Sequence, residues 1–502
     1  MWENIISAIE AGNNWLNGVV WGWPMIILIL GTGILMTIRT KVMQVRKLGE
    51  SINTTIVPTL KGLGKKHAED KGAKSISQFE AFATAISGTV GTGNIIGVTS
   101  AILTGGPGAV FWMWVSAFFG MITNYSENVL GLYFRKKDKE GNFSGGTAYY
   151  IAEGLGWKWL GYVAAVFCVL AAIGMSGVQT NKISGTLASG FAGFDGMTVK
   201  LIVGIIVAIV AALVIIGGIK RIGRVAAILV PFMSVLFLIM AIIVIFMHVG
   251  NVGAAFGSIF KYAFNFKAVG GGIFGYTFAK IIQKGMARGV FSNEAGLGSS
   301  VYAHCASETR EPVRQGLWGI FEVFFDTFII CTITALMILS CNDLTALTGA
   351  ESDAALSLAA FSNNFGIFGT VCFCIILPLF AFTTILAWSY YGEKATEFIF
   401  QKASKKVQKA ATMTFKVLYV VLIVASAVIS SDLVWSISDT TNGLMALPNL
   451  IAVIGLSGLT VKITKNYYDR KKGLDVKPML SAYPEQNEEF IKDINSGNPI
   501  YR

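Results

Sequence analysis

Apolar runs of about 20 residues recur along the chain, and short polar segments separate them. Runs of this length with few charges are typical of helices that cross a bilayer. The pattern predicts about 11 such helices, at 19–38, 79–103, 109–133, 159–187, 198–217, 225–248, 269–291, 316–340, 366–392, 417–437 and 442–461. The chain is therefore predicted to be an all-α polytopic membrane protein.

The polar segments divide the chain into four parts. They are an N-terminal part with one extra helix, a basic segment, a ten-helix core and a polar tail, at 1–38, 39–77, 78–461 and 462–502. The basic segment is predicted to contain an amphipathic piece that Pro58 interrupts. The tail is predicted to be poorly ordered at its end.

Charge sets the predicted orientation. Only 14% of residues are charged, and the net charge is +11. Most Lys and Arg residues lie in alternate polar segments. This predicts a multi-pass protein of the plasma membrane, with its N-terminus outside the cell and its C-terminus in the cytoplasm. This distribution argues against a nucleic-acid-binding surface. Residues 1–18 contain no Lys or Arg, so the run 19–38 is predicted to be a retained helix and not a signal peptide.

The second run contains Ser87-Gly88-Thr89-Val90-Gly91-Thr92-Gly93-Asn94 near its middle. Glycine costs about 1 kcal/mol per helical position relative to alanine, so this stretch is predicted to interrupt the helix. Free backbone groups are tolerated at this depth only where they line a protein cavity. The N–H groups from Gly91 to Asn94 suit a carboxylate, and the freed carbonyls of Ser87 and Val90 suit a cation. The alternative is a small-residue packing face.

A second glycine-rich run, Gly270 to Gly275, begins the span 269–291. The two interrupted spans each begin a group of five, as expected for an inverted repeat with two discontinuous helices. Gly271, Gly272 and Phe274 are then expected to face the first break, where their carbonyls could receive an ammonium group.

Other polar groups lie at membrane depth. The hydroxyls of Thr383 and Thr384 are hard oxygen donors; with the carbonyls of Ser87 and Val90 and one near Leu379 or Phe380 they would form a five-oxygen Na⁺ site. Back-bonding to their own helix is the alternative.

Two further side chains in the apolar runs are candidates for substrate contact. Trp388 is one turn after Thr384 and could limit the size of a bound side chain; ordinary packing is the alternative. Gln179 could contact a substrate or join two helices.

Charged residues in the apolar runs are few. Glu80, Glu127, Glu322 and Asp326 are candidate proton carriers, and pairing with a basic neighbour or water access is the alternative. Arg288 and Glu294 could form a gate or an ordinary ion pair.

The sequence resembles the alanine/glycine:cation symporter family. The resemblance lies in three segments, Ser87–Ile95, Gly285–Gly298 with its Ser-Asn-Glu-Ala-Gly-Leu-Gly motif, and Phe382–Ile385 with Trp388. It implies a ten-helix inverted-repeat core preceded by one helix, and Na⁺-coupled uptake of small neutral amino acids. It also implies that Asn94, Gln179, Thr384 and Trp388 surround the amino acid, and that Ser87, Val90, Thr383 and Thr384 hold the sodium.

The expected function is therefore symport of alanine or glycine with Na⁺ by alternating access. Na⁺ is the coupling ion, no organic cofactor is expected, and the monomer is expected to be functional. Proton coupling through Glu127 or Asp326 is the first alternative. A channel is disfavoured because polarity is concentrated at two breaks. An intramembrane enzyme is disfavoured because the sequence shows no paired catalytic acids, Ser/His pair or metal-ligand cluster.

Overall fold

A computed structural model describes residues 2–62, 75–137, 141–190, 196–264, 278–341 and 352–497. The helices before the first break are α1 (Trp2–Val20), α2 (Trp23–Arg39), α3 (Met43–Arg46), α4 (Leu48–Gly62) and α5 (Gln78–Thr89). A 3₁₀ turn (Thr92–Asn94) follows, then α6 (Ile96–Gly105) and α7 (Ala109–Phe134). A hairpin of β1 (Lys136–Lys137) and β2 (Phe143–Ser144) pairs Lys136 with Ser144 and Lys137 with Phe143.

The middle of the chain contains α8 (Thr147–Tyr149) with a π turn (Tyr150–Gly154), α9 (Lys158–Gly190), α10 (Gly196–Ile215), α11 (Gly218–Met247), α12 (Val249–Ala263), α13 (Phe278–Asn293) and α14 (Val301–His304). Then come α15 (Pro312–Val323), a π-helical stretch (Phe324–Cys331) and α16 (Thr332–Cys341). The last helices are α17 (Asp353–Ile399), α18 (Lys405–Ser426), α19 (Ser431–Gly455), α20 (Ser457–Lys471) and α21 (Pro484–Asn495).

The helices form a bundle with α5, α7, α9 and α17 near its centre. Helix α9 packs against α17 and α19, α7 packs against α13 and α15, and α5 packs against α11 and α17. The outer faces of α10 and α11 expose large apolar side chains, including Ile209, Leu213, Ile228, Phe232 and Val235. Such an apolar outer surface is expected for helices that face lipid.

Seven helices of the described residues are long and apolar enough to cross a membrane, or eight if the bent pair α19 and α20 counts as one span. The prediction of about 11 is larger because three predicted spans, 79–103, 109–133 and 269–291, do not form helices that are both long and apolar enough. The halves of 79–103 are each short, α13 has only 16 residues, and α7 carries Asn124, Glu127 and Asn128 among its apolar positions.

Two predictions about helix bounds are wrong. The span predicted at 417–437 is two helices, because α18 begins at Lys405 behind the N-cap Ser404 and α19 begins at Ser431. The apolar residues Ala427, Val428 and Ile429 lie in the connection, so hydropathy does not fall between the two helices. Helix α4 continues through Pro58 as one helix, and α12 lies between the predicted spans 225–248 and 269–291.

The tail contains a helix near its end, where the sequence predicted poor order; residues 498–502 lie outside the described residues. Residues 484–495 form α21, which packs against the β-hairpin through a buried cluster of Phe143, Leu480 and Phe490. Glu80, which lies at the start of the second predicted span, has a capping role: its carboxylate accepts from the backbone N–H of Ser77, and its own N–H donates to the Ser77 hydroxyl.

Candidate functional site

The predicted break lies between α5 and α6. Helix α5 ends at Thr89, Val90 (φ −80°, ψ 84°) leaves helical geometry, and Gly91 (φ −131°, ψ −152°) is extended. The N–H of Gly91 donates to the Asn94 side-chain oxygen over 2.9 Å. Side chains thus replace the helical partners that the break removes. Ser87, Val90, Thr92 and Asn94 are all fully buried.

Gln179 on α9 reaches this break. Its Oε1 accepts from the N–H of Thr92 over 3.1 Å. A Cβ atom on Gly91 would lie 2.4 Å from the Thr384 hydroxyl and 3.4 Å from Gln179 Oε1. The structure therefore brings Gly91, Thr92, Gln179 and Thr384 together, and only a glycine fits at position 91.

Thr384 joins α17 to the end of α5. Its hydroxyl lies 2.9 Å from the Ser87 carbonyl and 3.1 Å from the Phe380 carbonyl. The Thr383 hydroxyl donates to the same Phe380 carbonyl over 3.0 Å and lies 3.6 Å from the sulfur of Met233. Hydroxyl and carbonyl oxygens at these positions are chemically suited to a hard alkali cation and not to a soft metal.

Val90 and Gly93 complete the predicted set at the break. The N–H of Val90 donates to the Ile86 carbonyl over 2.7 Å, which is the last bond of α5. Gly93 packs against the ring of Phe291, where an added Cβ would lie 3.2 Å from the nearest ring carbon. Gly271, Gly272 and Phe274 lie outside the described residues.

Trp388 is fully buried, and its indole N–H donates to Glu294 Oε1 over 2.8 Å. The same carboxylate accepts from the Ser299 hydroxyl over 2.5 Å. Glu294 has a positive φ of 55°. It also lies beside the broken helix, since a Cβ on Gly88 would be 3.2 Å from Glu294 Oε1. Glu294 therefore fixes the indole of Trp388 next to α5.

The predicted pairing of Arg288 with Glu294 is wrong. Arg288 instead forms a bidentate ion pair with Asp439 on α19, at 3.0 and 2.8 Å. The two residues are six positions apart on and beyond α13, so their side chains point to different neighbours. The Arg288 guanidinium carbon also lies 4.7 Å from the centroid of the Trp435 ring, which stacks on Phe291 at 5.1 Å.

This ion pair lines a cavity of about 1260 Å³ between α1, α6, α9, α17 and α19. The cavity also contains Lys182, which pairs with Asp353 at 3.0 Å. Phe291 contacts both Trp435 and Gly93, so the aromatic pair separates the cavity from the break. Asp439 and Trp435 were not predicted from the sequence. The available signal was Asp439 itself, an acidic residue in a largely apolar part of the chain.

Asp326 contacts the break through Asn94. Its Oδ1 accepts from the Asn94 amide over 2.5 Å, and its carboxylate also accepts from the hydroxyls of Ser292 (3.0 Å) and Thr327 (2.8 Å). Asp326 is fully buried and lies in the π-helical stretch. Glu127 lies elsewhere, where its Oε1 accepts from Asn449 and from the N–H of Gly296.

Comparison with known proteins identifies the relatives of this chain. Residues 6–480 match the model of the sodium:alanine symporter family. The sodium/alanine symporter AgcS of Methanococcus maripaludis is 41% identical over 469 residues, which are 91% of this chain and 97% of AgcS. A putative sodium/proton-dependent alanine carrier protein, YrbD of Bacillus subtilis, is 36% identical, with 92% and 93% of the two chains covered.

The fold is also found among solved structures. The crystal structure of MhsT in complex with L-phenylalanine aligns with a TM-score of 0.54 and 15% identity, over 78% of this chain and 99% of MhsT. At this identity the likeness shows the fold alone. The predicted all-α polytopic fold with a discontinuous helix is confirmed.

Proposed function

Because the chain belongs to the sodium:alanine symporter family, a family of Na⁺-coupled amino-acid transporters and not of enzymes, we propose that it imports alanine or glycine together with Na⁺. Transport proceeds by alternating access around the break between α5 and α6. The protein works as a monomer in the plasma membrane, with its N-terminus outside and its C-terminus in the cytoplasm.

The observation that carries this proposal is the contact of the Thr384 hydroxyl with the Ser87 carbonyl, 2.9 Å apart. Ser87 lies in the last turn of α5, on one side of the break, and Gly91 to Asn94 begin the other side. A sodium ion held by Ser87, Val90, Thr383 and Thr384 would fasten α17 to α5. The same contact would fix the geometry of Gly91 and Thr92, so ion and amino acid would stabilise one arrangement of the helix.

The substrate carboxylate is assigned to the N–H groups of the 3₁₀ turn that precedes α6, from Gly91 to Asn94. A helix N-terminus favours an anion. Binding would release Gln179 and the Asn94 side chain from these N–H groups, so both could turn to the ligand. Trp388, held by Glu294, and Thr384 would limit the side chain to a small size. Gly271, Gly272 and Phe274 remain expected contacts for the ammonium group.

A binding titration tests the proposal most directly. Purified protein is titrated with alanine and with glycine, each in Na⁺ and in choline buffer, with glutamine and leucine as larger competitors. The proposal expects alanine or glycine to bind, and Na⁺ to increase the affinity at least about tenfold, or 1.4 kcal/mol. Equal affinity with and without Na⁺ contradicts the sodium role, and preference for leucine contradicts the size limit.

A second candidate is proton coupling through Asp326. Its buried carboxylate accepts a hydrogen bond from the Asn94 amide, and the Asn94 side-chain oxygen accepts one from the N–H of Gly91. The protonation state of Asp326 would therefore alter the hydrogen bonds at the break. The donors to this carboxylate among the described residues are Asn94, Ser292 and Thr327, none of them basic, and a buried carboxylate in such surroundings favours a bound proton or cation. Uptake of alanine in Na⁺-free buffer under an imposed pH gradient tests this candidate. Accumulation there, and its loss in Asp326→Asn, would replace sodium by protons.

A further inference from the structure

The C-terminal helix α21 is docked on the transporter body. Phe490 is fully buried between Phe143 of the β-hairpin and Leu480, and the two phenylalanine rings meet edge to face at 6.0 Å. The helix carries four acids and one lysine, and two of its acids pair with basic residues of the body, Glu489 with Lys137 and Asp493 with Arg310. This charge pattern and the buried phenylalanine indicate that α21 docks at a specific site on the body.

Polar contacts fasten the tail on both sides of Phe490. Asp493 pairs with Arg310 at 2.7 Å. The Gln486 side chain donates to the Arg135 carbonyl over 3.0 Å and accepts from the N–H of Lys137 over 2.9 Å. The preceding strand-like segment adds a backbone bond from Ala482 to the Tyr133 carbonyl, at 2.8 Å. The tail therefore holds the hairpin and the segment around Arg310 at once.

A buried arginine extends these contacts inward. Arg135 is 1% exposed, and its guanidinium carbon lies 3.8 Å from the centroid of the Phe143 ring. It donates to the carbonyls of Cys305 (2.9 Å), Ser307 (2.6 Å) and Thr309. The ring that Phe490 packs against thus also supports the arginine that holds residues 305–309.

The held segment is joined directly to the broken helix. Ile76 and Ser307 form a parallel bridge, in which the N–H of Ile76 donates to the Ala306 carbonyl (3.2 Å) and the N–H of Glu308 donates to the Ile76 carbonyl (2.9 Å). The next residue, Ser77, caps α5. A continuous series of contacts therefore runs from α21 to the first half of the discontinuous helix.

A second cavity lies at this end of the bundle. It has a volume of about 560 Å³, and Phe143, Tyr149, Ala306 and Tyr390 are among its lining residues. Tyr391, next to the lining residue Tyr390 on α17, packs against α5: its hydroxyl lies 3.4 Å from the Ala85 carbonyl, and a Cβ on Gly88 would be 2.7 Å from that hydroxyl. A route from this cavity to the break would require α5 to move away from α17, and the bridge to Ser307 would oppose that movement.

We propose that α21 is an autoinhibitory latch that stabilises the conformation in which the route from the 560 Å³ cavity to the break is closed. When the tail is docked, hairpin, residues 305–310 and the start of α5 move as one unit. When it is released, this unit loosens and the closed state loses stability relative to the open one. The latch adds regulation to transport and is independent of which amino acid or ion is carried.

Cys305 is a natural reporter of the latch. It is 1% exposed, and burial raises the pKa of its thiol to about 12, so it reacts slowly with thiol reagents while the segment is held. The other five cysteines, Cys168, Cys331, Cys341, Cys372 and Cys374, are replaced by alanine. Modification of Cys305 by a water-soluble maleimide is then followed by mass spectrometry on the purified protein.

Asp493→Asn and Phe490→Ala test the proposal, and Glu488→Gln is the matched control. Among the described residues, Glu488 pairs with the exposed Lys477 of the tail itself, so its variant removes one tail charge and leaves the ion pairs between tail and body in place. We expect Cys305 to react several-fold faster in Asp493→Asn and faster still in Phe490→Ala, with no change in Glu488→Gln. Because the latch is autoinhibitory, initial uptake rates in proteoliposomes should rise in Asp493→Asn and Phe490→Ala and stay unchanged in Glu488→Gln.

Equal Cys305 reactivity in all variants would overturn the latch, as would an equal increase in the Glu488→Gln control. If Phe490→Ala does not fold, Phe490→Leu loosens the same contact less and carries the same expectation. Since the thiol assay needs neither Na⁺ nor amino acid, its result is separate from the outcome of the transport assignment.

Discussion

Gly91 is the residue at which the proposed substrate and sodium positions come closest. It is extended, its N–H is used by Asn94, and its Cα faces Thr384 and Gln179 with no room for a methyl group. The positions of the Thr384 and Gln179 side chains, on two neighbouring helices, therefore depend on the absence of a Cβ atom at residue 91. The contacts at this site depend on close approach to the glycine backbone as much as on the type of the surrounding side chains.

Gly91→Ala should disable the site with little effect on the rest of the fold. The new methyl group would displace the Thr384 hydroxyl, at 2.4 Å, and press on Gln179. We expect loss of Na⁺-dependent alanine binding by calorimetry, while the protein stays monodisperse. Gly97→Ala is the control, because nothing lies within 4 Å of its Cβ position; impaired binding in both variants alike would contradict the crowding argument.

Thr384→Ala should weaken the response to sodium more than the response to alanine at saturating sodium. The change removes one of the proposed oxygen ligands of sodium and the hydrogen bond to the Ser87 carbonyl. A hydrogen bond or ligand contact to a charged group contributes about 1.5–3 kcal/mol, so the Na⁺ concentration for half-maximal uptake should rise roughly tenfold or more. Thr384→Ser keeps the hydroxyl and should stay close to the wild type. An unchanged sodium titration in Thr384→Ala would reject this role.

At the scale of helices, hydropathy and glycine content predicted the break and most spans, because both depend on local composition. The break falls at the predicted residues since glycine and threonine weaken the helix there. The wrong boundary at α18 has a different cause: its first turns contain Lys405, Lys406 and Lys409, so hydropathy places the start of the span after these charged residues.

Pairing between distant helices was less predictable. The partner of Arg288 is Asp439, 151 positions away, and the sequence alone favoured the near neighbour Glu294. Likewise, Gln179 was recognised as a polar group in need of a partner, but its contact with the N–H of Thr92 depends on how α9 packs on the break. Such contacts are determined by the fold and leave no periodic pattern in the sequence.

Asp439→Asn should destabilise the contact between α13 and α19. It leaves the buried guanidinium of Arg288 without its carboxylate, next to Trp435 and Phe291. The side chains are 7% and 12% exposed and border a cavity, so we expect a loss of about 1–3 kcal/mol, not the full cost of a dry buried charge. A thermal melt of the purified protein measures the loss. Glu488→Gln, at an exposed pair, should leave the melting temperature unchanged.

For the whole molecule, symport of a zwitterionic amino acid with one Na⁺ moves one net charge across the membrane. A potential of 100 mV contributes about 2.3 kcal/mol per charge, which corresponds to an accumulation ratio of about fifty. Proteoliposomes with equal Na⁺ on both sides and an imposed inside-negative potential should therefore accumulate alanine. The ratio should rise steeply with the potential and vanish when the potential is collapsed.

The dependence on potential also counts the ions. Two Na⁺ per amino acid would square the ratio, since each charge contributes the same electrical free energy. Accumulation that ignores the potential would mean electroneutral exchange and would contradict simple symport. Repeating the measurement with Na⁺ replaced by choline separates the carriers: residual accumulation that follows a pH gradient would assign the moving charge to a proton and direct attention to Asp326, whose carboxylate is hydrogen-bonded to Asn94 at the break.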